Sequence, residues 1–209
     1  MKKSLSILAS LLLVIAFIAM ANTNRFTAQK ATTPTLKVGD IAPDFSLQNI
    51  DDNMVALSDF KDAKGFIINF TCNTCPFAVL YEERVVALQE KYAKKGYPVI
   101  NIMPNDIDVK PGDSFQNMKI RAEKVGYEYY LNDAAQKVYP TYGASRTPHI
   151  LLLDAKRKVR YIGAIDDNAQ DATAVQQHYL EDAITAMEAG KEPEPNFTKA
   201  IGCSIKVKK

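Results

Sequence analysis

The sequence predicts an α/β protein in which helices flank a central mixed β-sheet. Short apolar runs rich in β-branched residues, which are typical of buried strands, recur along the chain. Segments whose apolar residues stand three and four positions apart, which are typical of helices, separate these runs. Late in the chain, two apolar runs are joined by a short charged turn, and this pattern indicates an antiparallel hairpin.

The first half of the chain supplies a hairpin, a strand and a long helix. Phe45-Ser46-Leu47 and Val55-Ala56-Leu57 are separated by an Asp-Asp-Asn turn and predict the hairpin. Residues 65–70 predict a buried strand. Residues 76–95 predict a helix, because the segment opens with a proline, continues with apolar residues at helical spacing and stops at Gly96.

The second half continues the alternation. A buried strand predicted at 98–103 completes a strand–helix–strand unit, which implies a parallel pair with a right-handed crossover. The further predicted elements are a helix over 113–125, a short extended segment at 127–131, a short helix at 134–139, a hairpin formed by 149–154 and 158–163, and an amphipathic helix over 172–189. Beyond Gly190 we expect an irregular tail.

The N terminus has the pattern of a secretory signal peptide. Lys2 and Lys3 precede an apolar run that ends in the small-x-small motif Ala19-Met20-Ala21. We therefore expect a signal peptide at 1–21 that is cleaved after Ala21, and a flexible lead-in at 22–37. The alternative is an uncleaved anchor, which would place the protein at a membrane. The expected location is the periplasm or the outside of a bacterial cell.

Composition limits the partners. The chain has 26 Lys and Arg residues and 24 Asp and Glu residues, and both signal lysines lie in the segment expected to be removed. The mature chain of about 190 residues would then be neutral and fit one globular domain, and nothing suggests a nucleic acid as partner. Outside the cytosol disulfides persist and must be made, broken or reshuffled, so an exported dithiol has an obvious kind of substrate.

The main candidate for chemistry is the motif Cys72-Asn73-Thr74-Cys75, between the strand at 65–70 and the helix that follows. A helix N-terminus stabilises a thiolate, so we expect Cys72 to have a lowered pKa and to attack a disulfide. Cys75, expected to be less exposed, would then resolve the mixed disulfide. The alternative is half of a zinc site, but the other candidate ligands do not stand at ligand spacing: Cys203, His149 and His178.

Two further motifs complete a family resemblance. Residues 38–45 read Val-Gly-Asp-Ile-Ala-Pro-Asp-Phe, and Thr147-Pro148 precedes the late hairpin. With the CxxC helix and the order of elements, they resemble the thioredoxin-fold superfamily, and within it the AhpC/TSA (redoxin) branch of peroxiredoxins and exported thiol-disulfide reductases. The resemblance covers about 38–190, with 191–209 as a tail. It implies a thioredoxin-like fold with an N-terminal hairpin and a helical insertion.

The resemblance also implies roles. Cys72 would attack, Cys75 would resolve, and a cis Thr147–Pro148 bond would let the backbone of Thr147 pair with an extended substrate. The implied partners are protein or small-molecule disulfides and thiols, with an external redox partner and no cofactor beyond the cysteines. The chain departs from typical thioredoxins at Thr71, where they carry an aromatic residue, and in the Asn-Thr pair inside the motif. Whether the protein reduces, oxidises or isomerises is left open.

A peroxiredoxin-like antioxidant peroxidase is the first alternative function. The peroxidase motif P-x-x-x-T-x-x-C fails for both cysteines, because Gly65 and Asn69, or Ile68 and Cys72, stand where Pro and Thr are needed. Arg146 is the candidate for peroxide activation.

A copper-binding chaperone is the second alternative. Cys75-Pro76 reproduces the end of the C-x-x-x-C-P copper loop of related folds, with one residue fewer between the cysteines. Thiolates suit Cu(I), and His149 would be the third ligand.

The proton-accepting base is left unassigned among Asp106, Glu82 and Glu83. Cys203 leaves an odd number of cysteines in a chain expected to be exported. It could relay a disulfide, link two molecules or be inert.

Overall fold

The structure is a computed structural model that describes residues 35–208. The expected signal peptide and most of the expected lead-in lie outside the described residues. Within 35–208, no helix combines the length and apolar character needed to cross a membrane.

A mixed seven-stranded sheet forms the centre of the described part. The strands of the structure, in chain order, are β1 Ser46–Asn49, β2 Met54–Ala56, β3 Gly65–Phe70, β4 Val99–Met103, β5 Tyr130–Asn132, β6 Arg146–Thr147, β7 His149–Asp154, β8 Val159–Gly163 and β9 Cys203–Ser204. The order in the central sheet is β2-β1-β5-β4-β3-β7-β8, and β6 and β9 form a separate pair. Strand β3 runs parallel to β4 and antiparallel to β7.

Helices cover this sheet. They are α1 Pro76–Leu80, α2 Glu82–Tyr92, α3 Phe115–Val125, α4 Val138–Tyr142 and α5 Tyr179–Glu188, with 3-10 turns at Leu57–Asp59, Ala93–Lys95, Pro111–Asp113 and Ala172–Ala174. The α/β architecture with a central mixed sheet flanked by helices is confirmed.

The core lies on both faces of the sheet. In β3, Ile67 points to one side, where it meets buried residues of α2, α3 and α5. Phe66, Ile68 and Phe70 point to the other side, where they meet α4 and the tail. All residues of β3 and β4 are buried. Central strands covered on both faces are expected to be continuous apolar runs, which is how these strands were recognisable in the sequence.

The helix predicted at 76–95 is divided. It is interrupted at Tyr81 between α1 and α2, and its last turn, Ala93–Lys95, is a 3-10 turn. Gly96 ends the segment with a φ of 91°, the left-handed conformation that favours glycine. The boundaries at both ends agree with the prediction.

Two predicted helices begin later than expected. The helix predicted at 134–139 corresponds to α4. It begins only at Val138, because Gln136 has a positive φ and the carboxylate of Asp133 accepts the N–H groups of residues 137–139. The helix predicted at 172–189 is regular only from Tyr179. Before it, the backbone of Gln176 and Gln177 bonds to Asp167 rather than within a helix.

The expectation of an irregular tail is wrong for its last residues. Ala200 and Ile205 are buried, and Cys203–Ser204 forms β9 against β6. The reason is that β6 leaves backbone groups unpaired by the central sheet, and the tail supplies their partners. This places the end of the chain beside the CxxC motif.

Candidate active site

The CxxC motif lies between the end of β3 and the start of α1, as the sequence predicts. Thr71 still donates its N–H to Ile102 at 2.9 Å, so the backbone follows β4 up to the first cysteine. Helix α1 begins at Pro76, and Cys75 is its N-cap residue. Cys72 therefore lies in the connecting loop.

Thr147 holds both sulfur atoms. Cys72 Sγ lies 3.3 Å from Thr147 Oγ1. A protonated Cys75 donates from Sγ to the carbonyl oxygen of Thr147 at 3.1 Å. The Thr147–Pro148 peptide bond is cis, as the family resemblance implied. Both cysteines are almost fully buried, with 4% of Cys72 and 2% of Cys75 exposed.

The two thiols titrate as a pair, and each changes the pKa of the other. A hydrogen bond from the Cys72 thiol lowers the pKa of Cys75 to about 4. The same hydrogen bond, with burial and the negative charge of Asp113, raises the pKa of Cys72 above its ordinary value. The backbone N–H of Ala78 also favours the Cys75 anion. The expectation that Cys72 has the lowered pKa stays a prediction, because the two thiols titrate together and the Cys75 thiol also donates to the Thr147 carbonyl oxygen.

A buried carboxylate, which sequence reasoning missed, holds the loop between the cysteines. Asp113 Oδ1 accepts the backbone N–H groups of Asn73 at 2.9 Å and Thr74 at 3.1 Å. Its Oδ2 accepts the Thr74 hydroxyl at 3.1 Å and the Asn105 side chain at 2.7 Å. Four donors compensate the desolvation of a side chain that is 0% exposed. Asp113 thus fixes the Asn-Thr pair inside the motif through the backbone N–H groups of both residues and the hydroxyl of Thr74.

Neighbouring residues extend this support. Tyr130, which is buried, donates its hydroxyl to Asn73 Oδ1 at 2.9 Å. A Cβ added at Gly112 would lie 2.6 Å from the Thr74 methyl carbon, so the close approach of the two loops requires glycine there. The sequence signal for Asp113 was the Pro-Gly-Asp turn before a helix, but nothing in it indicated which loop the carboxylate would face.

Cys203 approaches the site from the tail. It stands opposite Thr147 in the β6–β9 pair. Cys203 packs against the buried cluster that contains Cys72 and Cys75. Its thiol and its backbone N–H favour the Cys75 anion, whereas burial and then the neighbouring Cys75 raise the pKa of Cys203 to about 11. Cys203 therefore lies opposite Thr147, the residue that both other cysteines contact.

The histidines named as possible ligands have other contacts. His149 Nδ1 accepts the backbone N–H of Ser145 at 3.3 Å, and burial lowers its pKa to about 4. His178 is exposed at the start of α5. Among residues 35–208, no group of three or more His, Cys, Asp or Glu side chains is arranged to hold a metal ion.

The charged candidates also have other partners. Arg146 is exposed and donates to the carbonyl oxygen of Gly202 at 2.9 Å. Asp106 accepts the backbone N–H groups of its own turn. Glu82 accepts Arg121 Nη2 at 2.8 Å, and Glu83 is exposed on α2. No described contact joins these side chains to the two sulfur atoms of the motif.

Comparison with known proteins gives a consistent result. A model of the AhpC/TSA family matches residues 38–162. The thiol-disulfide oxidoreductase ResA from Geobacillus thermodenitrificans is 26% identical over 168 residues, which are 77% of this chain and 88% of that protein.

Two solved structures are similar over most of their length. An uncharacterized conserved protein from Geobacillus kaustophilus is 36% identical, with a TM-score of 0.77 over 82% of this chain and 93% of its own. A hypothetical protein from Sinorhizobium meliloti 1021 is 32% identical, with a TM-score of 0.77 over 84% of this chain and 97% of its own. The fold is thioredoxin-like.

Proposed function

Because this chain belongs to the AhpC/TSA family, we propose that it is a thiol-disulfide oxidoreductase whose redox couple is Cys72 and Cys75. Its relatives support an oxidoreductase of the thiol-disulfide class. The observation that carries the proposal for these two residues is their geometry. Both sulfur atoms contact Thr147, which precedes the cis-proline, and each thiol changes the pKa of the other.

The charge distribution suggests an order of events. The Cys75 thiolate attacks one sulfur of a substrate disulfide, and the other substrate sulfur leaves as a thiolate that takes up a proton. Cys72 then gives up its proton and attacks Cys75 Sγ. A Cys72–Cys75 disulfide forms, and the substrate is released with both sulfurs reduced. This order reverses the roles expected from the sequence, and it applies when Cys72 holds the proton of the pair and Cys75 is the anion.

The substrate class follows from Thr147. Its backbone lies at the edge of the short strand β6, and in the structure that edge is paired with the chain's own tail. An extended segment of another polypeptide can form the same backbone bonds once the tail has moved. We therefore propose disulfides and thiols of proteins or small molecules as substrates, and an external thiol or disulfide as the partner that restores the starting state.

We also propose that the protein is exported, on the basis of the signal-peptide pattern at 1–21. The mature chain would begin at Asn22. Intact mass measurement of the protein recovered from the periplasm or the medium tests this, and a full-length mass in the cytosolic fraction would contradict it.

The exchange proposal is tested with single-sulfur variants in a Cys203→Ser background, so that the tail thiol cannot release intermediates. Cys72→Ser and Cys75→Ser should each abolish multiple-turnover reduction of insulin disulfides, because each removes half of the redox couple. Cys72→Ser should in addition accumulate a mixed disulfide with the substrate, detectable by mass spectrometry without reductant.

Two outcomes are separable in this experiment. If Cys75→Ser accumulates the mixed disulfide instead, the order of attack is wrong and the function stands. If either variant reduces insulin as fast as the Cys203→Ser parent, the proposed redox couple is wrong.

A further inference from the structure

The tail occupies the edge at which a substrate segment would bind. Strand β9 pairs antiparallel with β6, with Cys203 opposite Thr147 and Ser204 opposite Arg146. Arg146 Nη1 donates to the carbonyl oxygen of Gly202 at 2.9 Å, and Ile205 donates its N–H to Ser145 at 3.2 Å. The end of the chain is thus bound in the manner expected of an extended peptide.

The residues on either side of Cys203 allow the tail to lie this close to Thr147. A Cβ added at Gly202 would lie 2.0 Å from the carbonyl oxygen of Thr147 and 3.2 Å from the nitrogen of Pro148. Only glycine therefore lets the tail pass this close to the cis peptide. On the other side of Cys203, Ile205 is buried in the core and anchors the strand.

A hydrogen-bonded connection joins the tail to the CxxC loop. The backbone N–H of Lys206 donates to Asn105 Oδ1 at 2.8 Å. Asn105 donates through Nδ2 to Asp113, which in turn accepts the backbone N–H groups of Asn73 and Thr74. The position of the tail and that of the loop are therefore fixed by the same two side chains.

Within this arrangement, all three cysteines lie next to Thr147. Cys72 Sγ and Cys75 Sγ contact it at 3.3 and 3.1 Å, and Cys203 stands opposite it in the β6–β9 pair and packs against the cluster that contains both. Cys72 and Cys75 are buried, whereas Cys203 is only partly so. A sulfur with a thiol neighbour on each side can form a disulfide with either of them.

We propose that Cys203 is a third redox cysteine, which takes over the disulfide from Cys72 by exchange at Cys75. This inference rests on the proposed function, which supplies the Cys72–Cys75 disulfide. In the exchange, Cys203 loses its proton and attacks Cys75 Sγ. The Cys72–Cys75 bond breaks, the Cys75–Cys203 bond forms, and Cys72 leaves as a thiolate that takes up the proton. No electrons are gained or lost overall.

The consequence for turnover follows from exposure. The Cys75–Cys203 disulfide ties the tail across the edge of Thr147, so the oxidised protein no longer binds a substrate segment there. The disulfide also includes the one cysteine of the three that is partly exposed. The external reducing thiol then attacks Cys203 Sγ, and Cys75 leaves as a thiolate. A second reducing thiol attacks the resulting mixed disulfide, so Cys203 is released reduced and the two external sulfurs form a disulfide.

The test uses the full chain with Cys72→Ser, in which Cys75 and Cys203 are the remaining cysteines. The chain is equilibrated in buffers of reduced and oxidised glutathione, quenched with acid, and analysed by non-reducing peptide mapping. We expect a Cys75–Cys203 disulfide whose equilibrium constant is at least about tenfold larger in the native than in the denatured chain, because the fold raises the effective concentration of the two thiols.

Two further substitutions, each combined with Cys72→Ser, test whether the docked strand β9 brings the two thiols together or whether they meet by chance. Gly202→Ala keeps both thiols but displaces β9, and it should bring the equilibrium constant close to that of the denatured chain. Ser204→Ala, on an exposed side chain of the same strand, should leave the constant unchanged.

The proposal is overturned if native and denatured Cys72→Ser chains form the disulfide equally well, or if Gly202→Ala has no effect. Neither result contradicts the proposed function, because that function is measured separately as insulin reduction in the Cys203→Ser background. Conversely, if Cys72→Ser forms a strong Cys75–Cys203 disulfide while Cys72→Ser combined with Cys203→Ser still reduces insulin, the Cys203 proposal stands and the Cys72–Cys75 couple is wrong.

Discussion

Two identical side chains three residues apart differ in acidity because they have different neighbours. Cys75 receives the hydrogen bond from Cys72, whereas Cys72 gives that bond and lies in the field of Asp113. The sequence shows the spacing of the cysteines but not the carboxylate, which comes from a loop some 40 residues later. The spacing therefore predicts which two cysteines lie together, but it carries no information about the neighbours that set the acidity of each.

The effect of Asp113 on Cys72 can be measured with Asp113→Asn in the Cys203→Ser background. The substitution keeps the size of the side chain but removes the negative charge that raises the pKa of Cys72. We expect the pKa of Cys72 to fall by about one pH unit or more, the size typical of a nearby like charge. The ultraviolet absorbance of the thiolate, followed against pH, reports this, and the step of Cys75 at low pH should persist.

Asp108→Asn is the control for this experiment, because Asp108 carries the same charge on an exposed side chain of the preceding loop. It should titrate like the parent. An Asp113→Asn chain with an unchanged Cys72 step would show that the charge of Asp113 does not act on the thiol.

At the scale of elements, the apolar runs predicted the strands well, because burial on both faces leaves a continuous signal. The helix starts were predicted less well. Asp133 and the backbone contacts of Asp167 determine where α4 and α5 begin, and these are contacts with distant or non-helical groups. Periodicity alone carries no information about such contacts, so it placed both helices too early.

Side-chain contacts of Tyr81 stabilise the interruption of the long helix. Tyr81 donates its hydroxyl to Asp166 at 2.7 Å, and Arg84 Nη1 donates to the same carboxylate at 2.6 Å. The Arg84 guanidinium also lies 3.9 Å from the centre of the Tyr81 ring. These contacts join the start of α2 to the loop after β8.

Asp166→Ala should therefore be strongly destabilising. It removes the acceptor of the Tyr81 hydroxyl and the charged partner of Arg84, whose guanidinium keeps only carbonyl oxygens among its described acceptors. The Arg84 side chain is 17% exposed and that of Asp166 is 3% exposed. Loss of one partner of a buried pair costs about 3 kcal/mol or more in the free energy of unfolding. Urea denaturation measures it, and Glu83→Ala, on an exposed side chain next to Arg84 in α2, should cost less than about 1 kcal/mol. Similar values for both variants would contradict a structural role of the cluster.

At the scale of the whole molecule, the main difference from the sequence prediction is the tail. Its polar composition and prolines suggested an irregular end, and the strand it forms has only two residues, too few for a pattern. Its position depends on partners elsewhere in the chain, namely Asn105, Thr147 and the core around Ile205. The described structure thus couples access to the two buried cysteines to the docking of the last residues.

This coupling predicts that a substitution remote from the sulfur atoms changes their reactivity. Ile205→Ala removes apolar contacts of the docked tail while leaving all three cysteines and β6 intact. A loss of about 2 kcal/mol of docking free energy corresponds to a roughly 30-fold larger undocked fraction. Alkylation of Cys75 by a bulky maleimide, which requires the open form, should accelerate by a similar factor in peptide-resolved mass spectrometry. Val207→Ala, on a side chain that is 52% exposed in the same segment, should alkylate at the parent rate. If Ile205→Ala also alkylated at the parent rate, the tail would not control access, and the sulfur atoms would have to be reached by another opening of the fold.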